Sequence, residues 1–190
     1  MTPRKVVENE LTREIILDTA RILFADTGYQ HVSMRKIATE LGYSHGALYY
    51  HFRNKAEIFY AIILKDFALL DTELQSVFKM KGTDLEKGRQ VLLSFIKFGM
   101  DHPNHYELMF LTKDKEVKSY LKQEPNKSYE RFAKTIHQLT EKKAGPKEIW
   151  FVLLSVHGFV TVHSRNDQTY DEVKGLAETH VNLILKAVLT

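Results

Sequence analysis

Between residues 33 and 55 the chain reads SMRKIATELGYSHGALYYHFRNK, a run whose side chains suit contact with a polyanion rather than bond-making. Tyr49, Tyr50 and His51 have polar tips that can donate to phosphate oxygens, contacts that fix register without reading sequence. Gly46 lets a backbone approach a phosphate or a base edge, and Ala47 presents a methyl that can meet a thymine methyl. Ser44 and His45 add small polar groups at the start of the same run. Ser33 offers a hydroxyl beside helix amides, a second place for a phosphate. Arg35, Lys36, Arg53 and Lys55 face a single acid, Glu40, so positive charge is concentrated here.

These residues need a scaffold, and the pattern supplies one. Ser33 can cap a short helix, Met34 to Leu41, that stops at Gly42; Ser44 can cap a second, running to about Tyr50. The inward positions Ile37, Ala38 and Leu41 of the first can meet Leu48 and Phe52 of the second, which predicts a helix-turn-helix. In that geometry the second helix enters a DNA major groove while the first crosses the backbone. A preceding helix is predicted over Thr12 to Thr27, closed by Gly28. Further helices are predicted over Lys55 to Lys79, Asp84 to Met100, Asn104 to Leu111, Pro125 to Lys142, Lys147 to Ser164 and Tyr170 to Leu189. Apolar residues recur at helical spacing and strand alternation is missing, so the fold class is all-α.

The whole-chain numbers bound the reading from outside. The 190 residues are 44% hydrophobic and 27% charged, ordinary globular values. A net charge of +3 does not by itself mark a nucleic-acid binder. With no cysteine, disulfides, thiolate nucleophiles and cysteine zinc sites are excluded, and a reducing cytoplasm is the expected compartment. Met1 to Leu11 is polar, with no secretory signal. The longest apolar run, Ile149 to Val162, is interrupted and shorter than the roughly 20 residues a membrane span requires. His102 and His105 straddle Pro103, and His157 and His163 are six apart, so neither pair has helical metal spacing; no metal and no cofactor are expected. No phosphate loop or nucleophile elbow occurs, and the chain is not expected to be an enzyme.

From about Arg13 to Phe59 the sequence resembles the DNA-binding domain of the TetR (tetracycline-repressor-like) family of bacterial regulators. The matching pieces are Ile16–Ala20, Leu23-Phe24, Gly28-Tyr29, Ser33–Ala38, Gly42–Ser44 and Gly46–Lys55. The resemblance implies an N-terminal three-helix DNA-binding domain and a larger C-terminal helical domain, expected at residues 1–55 and 56–190. It implies a homodimer, most often a repressor, that leaves a pseudo-palindromic operator on double-stranded DNA when a small effector binds the C-terminal domain. By motif position, DNA contacts fall at Ser33, Ser44, His45, Gly46, Ala47, Tyr49, Tyr50, His51 and Lys55. His102-Pro103, the Met109-Phe110 region and Trp150 with His157-Gly158 resemble a common C-terminal variant.

In the second half Phe95, Phe98, Tyr106, Met109, Phe110 and Trp150 must pack together, either as plain core or as the lining of an effector cavity, to which His157 would give a polar group. The last two helices are the expected dimer surface, since Lys147 to Ser164 is apolar on nearly every face and Gly158 allows close approach. The alternative to a regulator is a helical protein–protein adaptor without sequence-specific DNA binding.

Overall fold

The computed structural model describes residues 10–111 and 124–189. The N-terminal stretch before Glu10 and most of the charged segment Lys113 to Glu124 lie outside the described residues. All regular structure among the described residues is helical, the all-α class expected. The helices are α1 (Arg13–Thr27), α2 (Met34–Leu41), α3 (His45–His51), α4 (Lys55–Ser76), α5 (Asp84–Asp101), α6 (Pro103–Tyr106), α7 (Glu124–Leu139), α8 (Pro146–Ser164) and α9 (Tyr170–Leu189). None of the described helices is long and apolar enough to cross a membrane.

These residues form two compact units. The first runs to Asp66 and includes the segment beginning at Glu107; the second comprises Phe67–Tyr106 and the described residues from 124 onward. Residue 55, the expected domain boundary, is only the first residue of α4. The first unit keeps α4 as far as Asp66 because that part of the helix completes its core: Phe59 meets Phe24 and Tyr29, with ring centroids 5.3 Å from each. Arg21 is buried and grips the fully buried Asp66 through two hydrogen bonds, of 3.3 and 2.8 Å, while its third nitrogen reaches Asp18 at 2.8 Å. Burial opposes the charge on Arg21, but the hydrogen bonds and charge of Asp66, then of Asp18, outweigh it and hold the pKa above its ordinary value.

In the second unit α5 packs against α7, α8 and α9. Its start is a capping box, in which the Thr83 amide donates to Glu86 and the Glu86 amide to the Thr83 hydroxyl. Its close packing depends on Gly99, where a Cβ would collide with Val160 and lie 2.9 Å from Tyr106. The start of α9 uses the same device. The Thr169 amide donates to Glu172 at 2.7 Å, so Glu172 caps the helix. Those hydrogen bonds from Thr169 hold its carboxyl below the usual range.

Several predicted helices differ in their ends, and the predicted Lys55 to Lys79 stops at Ser76, with Val77–Lys79 forming a tighter turn. The predicted Pro125 to Lys142 stops at Leu139, because buried Thr140 donates its hydroxyl to Ile136 and accepts the Ala144 amide, and Glu141 and Lys142 then turn through left-handed backbone at φ 53° and 64°. The predicted Asn104 to Leu111 begins at Pro103 and widens into a π turn over Glu107–Leu111.

Candidate DNA-binding site

The helix-turn-helix forms where the capping residues demand it. The Ser33 hydroxyl accepts the Lys36 amide at 3.1 Å, and the Ser44 hydroxyl accepts the Ala47 amide at 3.3 Å. Each serine uses an oxygen lone pair and keeps its O–H proton for another acceptor. Between the helices Gly42 takes left-handed φ 74°, while the Gly42 and Tyr43 amides close the last turn of α2 on the Thr39 and Ala38 carbonyls. Ile37, Ala38, Leu48 and Phe52 are buried as the pattern requires; Leu41 is half-buried.

With Leu48 and Phe52 anchored inward, α3 turns its opposite side to solvent. His45, Gly46, Tyr49 and Tyr50 are exposed, Tyr50 at 88%, whereas Ala47 and His51 are half-buried. The rings of His45 and Tyr49 meet edge to face at 4.8 Å, and those of Tyr50 and His51 at 5.3 Å. The outer face therefore carries two pre-set ring pairs beside a bare backbone stretch at Gly46. Ser33 and Ser44 are exposed at the starts of the two helices, and Arg35 and Arg53 are exposed as well.

Lys55 departs from expectation. Instead of standing free for a phosphate, its ammonium lies 4.1 Å over the Tyr29 ring and donates to the carbonyls of Tyr29 and Val32, at 2.9 and 3.2 Å. Two of its three protons tie down the loop that leads into α2. A second internal cation has no counterpart among the predicted site residues. Arg13, at the start of α1, donates to the His51 carbonyl and stacks 3.9 Å over Phe52. No spacing rule reaches across 38 residues to join Arg13 to His51; the tertiary fold alone brings them together.

Of the residues expected around an effector cavity, Phe95, Tyr106 and His157 meet ring to ring inside the second unit. Phe95 packs on Tyr106 and Phe132, and Phe98 on His102, all inside the second unit. Met109 and Phe110 lie on the π turn and group with the first unit. Trp150 is 50% exposed, edge-on to Tyr129, because Ile149 and Val152 occupy the inward side of α8. Only Tyr106 and His157 come together as a polar pair. The phenol, kept protonated by burial, shares a hydrogen bond of 2.5 Å with His157 Nδ1, and burial lowers the His157 pKa. An open groove of about 330 Å³ lies elsewhere in this unit, lined by Gln75, Phe78, Arg131, Lys134, Thr135 and Gln138, none of them among the expected residues. His102 and His105 do approach, with ring centroids 5.1 Å apart, but no group of three metal-binding side chains occurs among the described residues.

Residues 16–62 match the family model for bacterial regulatory proteins of the tetR family. The chain is 26% identical to the HTH-type transcriptional regulator AcrR of Shigella flexneri, over 96% of this chain and 91% of that one. It is 31% identical over 90 residues to the HTH-type transcriptional regulator SAR2658 of Staphylococcus aureus, about half of each chain (47% and 49%). A 64-residue stretch, 33% of this chain, is 41% identical to the HTH-type transcriptional repressor Rv1474c of Mycobacterium tuberculosis, 34% of that protein. The fold is that of the TetR-family regulator PfmR of Thermus thermophilus, with TM-score 0.73 and 21% identity over 92% of this chain and 96% of that one. It also matches the fatty acid degradation regulator FadR of Bacillus halodurans, with TM-score 0.74 and 16% identity over 96% and 97%.

Proposed function

We propose that this chain, which belongs to the TetR family of bacterial regulatory proteins, is a cytoplasmic, dimeric, effector-responsive repressor that binds a pseudo-palindromic operator. The observation that carries the DNA-binding part is the outer face of α3, with exposed His45, Gly46, Tyr49 and Tyr50 on a helix whose inner face is locked by Leu48. Arg35 and Arg53 supply phosphate-seeking charge beside it, and Ser33 and Ser44 add free hydroxyl protons. Ala47, half-buried, is left to touch a base edge only at close approach, and His51 and Lys55 act mainly from within.

Pairing through the last two helices has its own support. Phe151, Leu154 and Val162 stand exposed along one side of α8 with Gly158 between them, and Leu176 and Leu183 do so on α9. Exposed apolar residues repeating along two helices mark a surface that a second copy can cover. Release by an effector rests on family membership, not on a formed cavity.

Footprinting on DNA containing the chain's own promoter, repeated across salt concentrations, tests the reading. Protection of two half-sites about one helical turn apart, or a multiple of it, is expected. Each phosphate contact adds about −0.9 to the slope of log affinity against log salt. Uniform, sequence-blind protection, or none, overturns it.

A further inference from the structure

We propose that Arg13 is a positioning residue for α3, fixing the rotation at which its outer face is presented; this rests on the DNA-binding reading above. The helix has only seven residues, too short to hold itself in water, so its orientation comes from buried Leu48 and from what grips its two ends. Ser44 closes the N-terminal end. At the other end the last carbonyls have no partner within the helix. The Phe52 amide returns to Leu48 at 2.9 Å, and the His51 carbonyl is taken by the Arg13 guanidinium. That places a positive charge where the helix dipole is negative. The same guanidinium lies over the ring of Phe52, the buried residue that ends α3, so one side chain touches both the last carbonyl and the anchoring ring. Arg13 lies outside residues 16–62, the segment that matches the family model.

A bound phosphate and a held carbonyl make different demands on Arg13, and salt separates them. The test uses an operator selected from random duplexes with the unaltered protein, the variants Arg13→Ala and Arg13→Lys, and Arg53→Gln for comparison. For Arg13→Ala the affinity is expected to fall about tenfold at fixed salt with an unchanged salt slope. Arg13→Lys, which keeps the charge and a donor but loses the planar guanidinium over Phe52, is expected to fall between. In the free protein the His51 carbonyl ¹³C resonance should move upfield in Arg13→Ala, and the amides of residues 49–52 should exchange faster. A slope reduced by about 0.9, as a direct phosphate contact gives, overturns the proposal. So does unaltered affinity, or an unmoved His51 carbonyl. If no duplex can be selected, the DNA-binding reading fails, while the carbonyl and exchange measurements still decide whether Arg13 holds α3.

Discussion

The two units solve the same problem, holding helices in place, by different means. In the first, long-range polar grips do much of the work: Arg21 on Asp66, Lys55 on the Tyr29 and Val32 carbonyls, and Arg13 on the His51 carbonyl. In the second, α5 is gripped chiefly by apolar packing, close enough at Gly99 to exclude a methyl group. The contrast follows from helix length. Helices α2 and α3 have eight and seven residues and bury little area each, so directed bonds must fix their angles. The 18 residues of α5 bury a long stripe and need few such bonds. A unit built of short pieces with polar joints can present a defined polar face, whereas a unit built on apolar stripes tends to leave some of them uncovered.

Breaking one joint of each kind sharpens this contrast. Asp66→Ala leaves the Arg21 guanidinium buried beside only Asp18, and removing one partner of such a pair costs about 3–5 kcal/mol. Chemical denaturation should show that loss, and Asp66→Asn should recover part of it. Gly99→Ala, at the apolar joint, should cost about 1–3 kcal/mol as Val160 and Tyr106 are pushed aside. If Gly99→Ala is neutral, α5 packs more loosely than the second unit requires. Ser44→Ala removes one cap from α3 at a cost of about 1 kcal/mol, seen in thermal melts together with faster exchange of the Ala47 amide.

The smallest expected effect is a pH dependence confined to the second unit. Burial holds His157 below its ordinary value of 6.5, so the folded state binds less proton than the unfolded chain. Its contribution is complete above that value and is lost as the pH falls from 6.5 through the folded value. His157→Gln keeps an acceptor for the Tyr106 hydroxyl and does not titrate. Its stability loss between about pH 7.5 and 5.5, from denaturation curves, should be smaller than that of the unaltered protein. An equal loss would assign the effect to other groups.

Much of the fold was legible because it is written locally. Ser33, Gly42 and Ser44 each act within a few residues of where they stand, and the helices they bound appear where those residues place them. Thr140 shows the limit. It ends α7 through a buried hydroxyl between two backbone groups, and a threonine among charged residues carries no such signal in the sequence. In the site, the exposed side of α3 followed from helical periodicity around Leu48. The partners of Lys55 did not, because the Tyr29 carbonyl that draws its ammonium inward lies 26 residues back along the chain. The directions in which the aromatic side chains of the second half point were hidden for a related reason. Residue type tells that Phe95 and Trp150 are large and apolar, but only the turn of each helix sends Phe95 inward and leaves Trp150 half in water.

That last residue gives the chain a built-in optical probe. Trp150 is its single tryptophan, and it stands beside Phe151 and Leu154 on the side of α8 proposed to meet a second copy. Indole emission shifts to shorter wavelength when water is excluded from the ring. Serial dilution of unlabelled protein, followed by fluorescence alone, therefore reads the fraction paired, and the concentration at which the emission turns red marks the dissociation constant of the dimer.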